Sequence, residues 1–300
     1  MERAERGDER AGRRTWRIGD ATITRILESV APVPPAGFFA EATPEAVARH
    51  ASWLAPHFLD ADGHFPLAIQ GFVVESCGRR ILVDTCMGDR EVPAFPDLAM
   101  GDAFVRDLAA AGFARDEIDV VLCTHLHFDH VGSNTMRAPD GSGRWIPTFP
   151  NARYLFARVE YEHWKGAEDA GFAATFGDAV EPVVEAGLAE LVEVPHRVTD
   201  EVWLEPTPGH TPGHVAVHVA SRGARAMITG DLTHHPIQWA EVDWKMAADS
   251  DSAQAAATRR RLLAEHADGD LLVIGTHYAD PCSGRLVRTD AGFRFRASPR

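Results

Sequence analysis

The residues best suited to chemistry form the run THLHFDH (124–130), which directly follows an apolar stretch. In an extended backbone, residues i and i+2 point the same way, so His125 and His127 can bind one metal ion. A turn of the chain then lets Asp129 and His130 face a second position close by. Three imidazoles and one carboxylate within residues 125–130 are hard to explain by packing, so we predict metal ligation.

Further candidate ligands follow other apolar stretches. The runs are PGHTPGH (208–214), TGD (229–231) and GTH (275–277). In each of them the chain passes from a predicted strand through a glycine or proline turn to a potential ligand. The ends of several buried strands are where a rigid scaffold presents a site, so His210, Asp231 and His277 are additional candidates.

Alternating apolar patterns and turn residues predict the elements that must position these runs. Strands are predicted over 16–18, 21–27, 67–76, 79–84, 119–124, 188–194, 202–205, 214–220, 224–229, 271–274, 286–288 and 293–296. Helices are predicted over 43–54, 102–111, 158–164, 175–186 and 251–267, with loops over 30–42 and 132–150. The interleaved order suits a sandwich with two strand-rich halves. We therefore expect a disordered polar tail over 1–14 and a single domain over 15–300.

Composition narrows the class of protein. The chain has 300 residues, with 30 basic against 44 acidic side chains and a formal charge of −14. An acidic chain is a poor partner for nucleic acid, which rewards basic surfaces. No apolar stretch is long enough to cross a membrane, so we expect no membrane partner. The four irregularly spaced cysteines indicate reduced thiols and a cytoplasmic protein.

The motifs LVDT (82–85), THLHFDH, PGHTPGH, TGD and GTH, in this order, resemble the metallo-β-lactamase superfamily. They span residues 82–277 and so organise most of the chain. The resemblance implies an α+β fold, a four-layer αββα sandwich in which two sheets pack face to face between outer helices.

The resemblance also implies a ligand set. His125, His127 and His210 would hold one metal, Asp129, His130 and His277 would hold a second, and Asp231 would bridge both. The donors suit two Zn²⁺ ions, and Mn²⁺, Fe²⁺ or Co²⁺ also fit. The predicted catalytic residues are Asp129, Asp231 and His234, and Asp84 resembles an aspartate that orients a ligand histidine.

A binuclear metal centre of this kind uses a bridging hydroxide to cleave ester-like small molecules. The β-lactamases with an HxHxDH run lack the bridging aspartate, so Asp231 speaks against a penicillin hydrolase. The sequence resembles N-acyl homoserine lactonases and methyl-parathion-hydrolase-like enzymes, so we expect a lactone substrate. An organophosphate triester or aryl ester is the alternative, because His234 stands where many lactonases carry tyrosine. A mononuclear iron oxidoreductase of sulfur metabolism is a further alternative.

Two loop aromatics leave one question open. Phe38 and Phe39 lie in the predicted proline-rich loop. They are expected to form either an apolar wall of the substrate pocket or a contact in a homodimer.

Overall fold

The computed structural model describes residues 14–90, 100–167 and 170–298. The predicted polar tail lies outside the described residues except for Arg14, which begins the first strand and pairs with Arg25. The single domain over 15–300 stays a prediction.

The strands and helices are as follows. The strands are β1 (Arg14–Ile18), β2 (Ala21–Val33), β3 (Phe65–Ser76), β4 (Arg79–Val83), β5 (Val120–Leu122), β6 (Thr135–Arg137), β7 (Trp145–Pro147), β8 (Arg153–Ala157), β9 (Ala189–Val192), β10 (His196–Arg197), β11 (Val202–Pro206), β12 (Val215–Ser221), β13 (Ala224–Ile228), β14 (Leu272–Ile274), β15 (Ser283–Thr289) and β16 (Gly292–Ala297). The helices are α1 (Pro35–Phe38), α2 (Pro44–Ala48), α3 (Ala51–Leu54), α4 (Ala103–Ala110), α5 (Phe128–Val131), α6 (Arg158–Lys165), α7 (Ala170–Ala179), α8 (Glu181–Glu185) and α9 (Ser252–His266).

Two large sheets carry the fold. The first has the strand order β1-β2-β3-β4-β5-β8-β9, and the second has the order β10-β11-β12-β13-β14-β15-β16. Most neighbouring strands are antiparallel, but β4, β5, β8 and β9 run parallel to one another, and so do β13 and β14. Parallel strands have their carboxyl ends at the same edge, so these pairs can present several loops together.

Alternation along the strands separates two apolar layers. Phe72 and Val74 of β3 point into the cluster shared with Val217 of the second sheet, whereas Val73 points to the opposite face. There Val73 packs in a cluster with Phe104 of α4 and Trp164 of α6. Helix α9 contributes buried leucines to the cluster that contains the second sheet. The predicted α+β fold, a four-layer αββα sandwich, is confirmed.

The first hairpin shows how local sequence fixes a turn. β1 and β2 pair antiparallel, with Ile18 opposite Ala21, as predicted. Gly19 has a φ of +63°, and a Cβ there would lie 2.3 Å from the carbonyl oxygen of Ser221 in the facing sheet. Only glycine satisfies both conditions, so this turn can close where the two sheets meet.

Two predicted helices are each divided in the structure. The segment predicted over 43–54 forms α2 and α3, although Thr43 caps α2 as expected by accepting a hydrogen bond from the Ala46 N–H. The segment predicted over 175–186 divides into α7 and α8 next to Pro182. Pro182 has no N–H to donate to the carbonyl oxygen of Asp178 four residues earlier, so the helix cannot continue through it and α8 begins with this proline in its first turn.

Two predicted loops contain strand. β2 continues through Val33 into the proline-rich segment, where Pro32 pairs with Pro66. In the part of the chain that the structure describes, β1 covers β2 only as far as Arg25, so Pro32 lies on an open edge, where proline is tolerated. The segment 132–150 contains the small hairpin of β6 and β7.

The structure shows the pairing state of the cysteines and the lengths of the helices. All four cysteines are unpaired, and Cys123 is buried as expected for a small core residue. Within the described ranges no helix is long and apolar enough to cross a bilayer.

Candidate metal centre

The first cluster of potential ligands is formed by His125, His127, His210 and Asp231. Their ligand atoms all lie within 4.8 Å of one another, and all four residues are buried. The distance from Nε2 of His210 to Nδ1 of His127 is 3.0 Å, and to Oδ2 of Asp231 it is 3.2 Å. Nε2 of His125 lies 3.6 Å from the same carboxylate oxygen.

The second cluster is formed by Asp129, His130 and His277, whose ligand atoms also lie within 4.8 Å of one another. The Nε2 atoms of the two histidines are 3.3 Å apart. Oδ2 of Asp129 lies 3.7 Å from Nε2 of His130 and 3.6 Å from Nε2 of His277.

Asp231 lies between the two clusters. While Oδ2 faces the first cluster, Oδ1 lies 2.9 Å from Nε2 of His277 and 3.1 Å from Nε2 of His130. One carboxylate thus presents a different oxygen to each cluster. This is the placement that a bridging ligand requires.

Strand ends account for the convergence. His125 and His127 follow β5, and the chain then enters α5, which carries Asp129 and His130. Asp231 lies in a 3₁₀ turn directly after β13, and His277 follows the parallel strand β14. His210 comes from the loop between β11 and β12. The seven residues predicted from the sequence are therefore brought together from both sheets.

Hydrogen bonds fix which nitrogen of three imidazoles faces the clusters. Nδ1 of His130 lies 2.9 Å from Oδ2 of Asp84, and Nδ1 of His210 lies 3.0 Å from Oδ1 of Asp249. Nδ1 of His277 lies 2.8 Å from the carbonyl oxygen of Ala68. Each acceptor requires a proton on Nδ1, so a neutral ring presents the lone pair of Nε2 to the cluster.

This arrangement fits cations. With protons on both Nδ1 atoms, the Nε2 atoms of His130 and His277 direct lone pairs at each other across 3.3 Å. Nε2 of His125 and Oδ1 of Asp231 are buried and have no hydrogen-bond partner among the described residues. Facing lone pairs and unpartnered buried acceptors are stable only when a positive charge lies among them. The donor set of imidazoles and carboxylates is the one that divalent transition metals prefer.

Electrostatics keeps His125, His127 and Asp231 in the form that binds metal, whereas His130 must lose a proton before it can bind. Burial, reinforced by neighbouring imidazoles, lowers the pKa of His125 and His127 well below the usual histidine range. Burial raises the pKa of Asp231, but the surrounding imidazoles outweigh it and hold that pKa well below its usual value. Burial lowers the pKa of His130, but nearby carboxylates raise it well above the usual value, and they attract a metal cation in the same way.

Asp84 contacts His130, a predicted ligand, as the resemblance implied. Its carboxylate contacts His130 and accepts two hydrogen bonds from Thr124, one from the backbone N–H at 2.7 Å and one from the hydroxyl at 2.9 Å. Its φ of +58° is unusual for aspartate and turns the side chain back under the ligand run. Asp84 thus joins the end of β4 to the residues that follow β5.

His234 lies against both clusters. Its Nε2 is 3.0 Å from Oδ2 of Asp231, and its ring stacks parallel to that of His277 with centroids 5.7 Å apart. Nδ1 is buried and has no partner within the described ranges. Burial lowers the pKa of His234, so the imidazole is neutral near pH 7. The half-buried ring of Phe38 lies 6.2 Å from this imidazole, whereas Phe39 is fully buried in the core.

Two further residues hold the site in place, although neither is a predicted ligand. His214 accepts a hydrogen bond on Nε2 from the backbone N–H of Asp231 at 2.8 Å, and burial lowers its pKa to about 3. Asp249 orients His210 from the loop before α9. The sequence analysis missed Asp249, because its partner is 39 residues away and no local spacing connects them.

His235 anchors the loop that carries His234. Its Nε2–H donates to the carbonyl oxygen of Phe58 at 2.7 Å, Nδ1 accepts from the N–H of Ile237, and the ring stacks on Phe65 at 3.8 Å. Burial lowers the pKa of His235 to about 3. The side chain points away from the clusters.

Acid should weaken the fold through His235. Its pKa in the unfolded chain is about 6.5, so below that pH the unfolded state takes up a proton that the native ring refuses. Stability falls as pH drops from about 6.5 towards 3, by up to about 1.4 kcal/mol per pH unit. Urea unfolding of metal-free wild type and His235→Gln at pH 7 and pH 5 measures this. The advantage of wild type over the variant should shrink by about 2 kcal/mol at pH 5. An unchanged difference would show that the imidazole of His235 takes up a proton in the native state as well.

The sequence is similar to that of a known protein superfamily. The sequence model of the metallo-beta-lactamase superfamily matches residues 64–277. The chain belongs to this superfamily. The match begins at His64, the residue before β3, and ends at His277. This metallo-beta-lactamase superfamily domain therefore includes all seven predicted ligands. A comparison with curated proteins returned no match.

Solved structures share the fold of this superfamily member. AidC, described as a dizinc quorum-quenching lactonase in complex with a product, is 22% identical, with a TM-score of 0.79 over 96% of this chain and 98% of that chain. The hydrolase AbOPH is also 22% identical, with a TM-score of 0.79 over 97% and 98% of the two chains. An N-acyl homoserine lactone hydrolase with bound N-hexanoyl-L-homoserine is 20% identical, with a TM-score of 0.59 over 85% and 92%.

Proposed function

We propose that this protein is a binuclear metal-dependent hydrolase that opens lactones, with N-acyl homoserine lactones the first class to test. The observation that carries the proposal is the pair of clusters joined by the two oxygens of Asp231. Two Zn²⁺ ions are the proposed cofactors. His125, His127 and His210 would hold one, Asp129, His130 and His277 the other, and Asp231 both.

Two divalent cations supply, when bound, a hydroxide nucleophile near neutral pH and polarise the substrate carbonyl oxygen. The protein's own residues then orient the reaction. Asp84 and Asp249 hold two ligand rings in one tautomer, and His214 fixes the backbone of the predicted bridge. Rigid donors need no reorganisation as charge develops on the substrate, which is how such sites lower a barrier.

His234 is the proposed substrate-facing group. Its neutral imidazole lies over both clusters and has one nitrogen without a protein partner among the described residues. A neutral ring has one N–H, so His234 can donate to the developing oxyanion or to the departing ring oxygen only with the proton on Nδ1, in which case Nε2 faces Asp231 without a proton. Asp129 is the other predicted catalytic residue and is more exposed than the buried ligand histidines.

Replacing His234 with alanine should lower kcat by about 10²–10³-fold, or roughly 3–4 kcal/mol, while both metals stay bound. Steady-state kinetics with metal analysis of the same samples measures this, and His57→Ala is the control histidine outside the site. An unchanged kcat at full occupancy, or a loss that follows lost metal, would mean that His234 only supports Asp231. His234→Tyr should retain lactone opening better than phosphotriester cleavage.

The electrostatic surroundings favour a neutral substrate. The charges that act most strongly on Asp231 and His125 come from other members of the clusters rather than from lysine or arginine. A lactone carries no charge for which a cationic side chain would be required, and Phe38 offers an apolar contact beside His234. Similarity in fold to two lactonases adds support.

Organophosphate triesters or aryl esters are the second candidate class. The specific observation is His234, three residues after Asp231, where the resemblance implies tyrosine in many lactonases, together with the fold similarity to AbOPH. The test is one hydrolysis screen with zinc-loaded protein against lactones, aryl esters and phosphotriesters. We expect the highest kcat/KM for a lactone. A phosphotriester that is cleaved faster would reverse the order of the two classes.

The mononuclear iron oxidoreductase is the least favoured alternative. A single iron in the first cluster would leave Asp129, His130 and His277 without a partner that explains their convergence. Metal analysis of protein purified without added metal separates the two, since one iron per chain would support oxidation. A small-molecule ester or lactone is the proposed partner, and a cytoplasmic location and a homodimer stay predictions.

A further inference from the structure

Glu160 is a carboxylate buried beside the metal centre but outside the ligand set. It lies in the first turn of α6 and is only 1% exposed. Glutamate is almost never fully buried unless its oxygens are paired, so its surroundings need an explanation.

The partners of Glu160 come from two ligand-bearing loops and from its own helix. Oε1 accepts a hydrogen bond from the backbone N–H of Leu126 at 3.1 Å, and Leu126 stands between His125 and His127. Oε2 accepts one from the backbone N–H of Gly213 at 3.0 Å, in the loop that carries His210. One carboxylate therefore ties together the two segments that supply all three histidines of the first cluster.

Trp164, one helical turn after Glu160, completes the contact. Its indole N–H donates to Oε1 of Glu160 at 2.6 Å. Its ring lies edge-on to the ring of His127, with centroids 5.2 Å apart. Residues at i and i+4 share one helix face, so α6 presents the carboxylate and the indole to the site together.

Gly213 shows how close the helix lies to the loop. A Cβ at this position would be 2.2 Å from the backbone nitrogen of Glu160 and 2.6 Å from its Cα. Any larger residue would push the loop away from α6. The contact is thus made by backbone as well as by side chain, and it leaves the loop little freedom.

We propose that Glu160 is a positioning residue that sets the spacing of His127 and His210 and thereby the metal affinity of the first cluster. The inference rests on the proposed binuclear centre. The Nδ1 and Nε2 atoms of these two histidines are 3.0 Å apart, and Glu160 holds the backbone near both. Its hydrogen bonds go to the loops of the first cluster and to Trp164, so the second cluster should depend on it much less.

Glu160→Gln is the informative substitution because it keeps the size of the side chain. An amide has one acceptor oxygen, and its NH₂ group cannot accept a hydrogen bond. If the oxygen stays with Leu126 and Trp164, the NH₂ group faces the N–H of Gly213. In the other orientation it faces the N–H of Leu126. In either case one of the two loops loses its tie.

The experiment titrates metal-free protein with Zn²⁺ in competition with a chromophoric chelator, and follows Co²⁺ binding by its visible absorption. Glu160→Gln should weaken one of two equivalents by about 10–100-fold, the usual cost of losing a residue that supports a ligand. The second equivalent should keep its wild-type affinity. Glu162→Gln, an exposed glutamate on the same helix, is the control and should match wild type at both sites.

The outcomes separate this proposal from the one on which it rests. Two unchanged equivalents in Glu160→Gln, or an equal loss in both, would overturn the positioning role. A wild-type protein that binds fewer than two equivalents would instead overturn the binuclear centre. Trp164→Phe is a milder variant that removes one donor and keeps both backbone ties. It should weaken the same equivalent by a smaller factor, and a loss at both sites or at neither would also contradict the proposal.

Discussion

Asp231→Ala is expected to abolish hydrolysis and to lower metal occupancy at both positions. The side chain places one oxygen in each cluster and is surrounded by ligand imidazoles. Loss of a residue that only supports a ligand costs about 10–100-fold in metal affinity or activity, so loss of a shared ligand should cost more than about 100-fold. Its removal also takes away the negative charge that balances two cations.

Metal content and kcat/KM of the same purified samples measure this effect. Asp62→Ala removes a carboxylate from an exposed loop and should leave both quantities unchanged. Because the alanine leaves unpartnered imidazoles, the unfolding of each variant should be compared in the metal-free state as well. Full activity without the Asp231 carboxylate would exclude the bridging role.

Removal of the metals is expected to eliminate activity and to lower the melting temperature substantially. The proposed ligands come from segments that follow strands of both sheets, so bound cations would link the two halves of the sandwich. A ligand that binds only the native state stabilises it by about 2.7 kcal/mol at 100 times its Kd. For a chain of this size that corresponds to roughly 4 °C for each site.

Differential scanning calorimetry of chelated and zinc-loaded protein measures the shift, and added Zn²⁺ should restore both the melting temperature and the activity. Asp231→Ala should show a much smaller difference between the two states. Coincident melting curves after verified metal removal would mean that the clusters do not bind metal in the native protein.

The residues of the site were accessible to sequence reasoning because most of the ligand motifs begin close to the end of a short buried strand. His125 follows β5, Asp231 follows β13 and His277 follows β14, and in each case a turn marks the change. The local pattern therefore located the candidates before any contact was known. The order of strands in the two sheets was not predicted, since it depends on pairings between distant segments, and the sandwich architecture came from the resemblance.

Residues that act through long-range contacts escaped the sequence analysis. Asp249 and Glu160 look like ordinary loop and helix residues, and their partners lie 34 to 53 residues away. The single helix predicted over 175–186 was an error of a different kind, because Pro182 already indicated a break between α7 and α8. Phe39 lies in the core, so the expectation of a pocket wall or a dimer contact was wrong for this residue, whereas Phe38 lies beside His234 and its role stays a prediction.

The central claim is that two metal ions share Asp231, and anomalous X-ray diffraction at the zinc absorption edge tests it most directly. Crystals of the zinc-loaded protein should show two anomalous peaks, one among His125, His127 and His210 and one among Asp129, His130 and His277. Asp231 should contact both through different oxygens. A single peak at full zinc occupancy, or two peaks of which Asp231 contacts only one, would contradict the account.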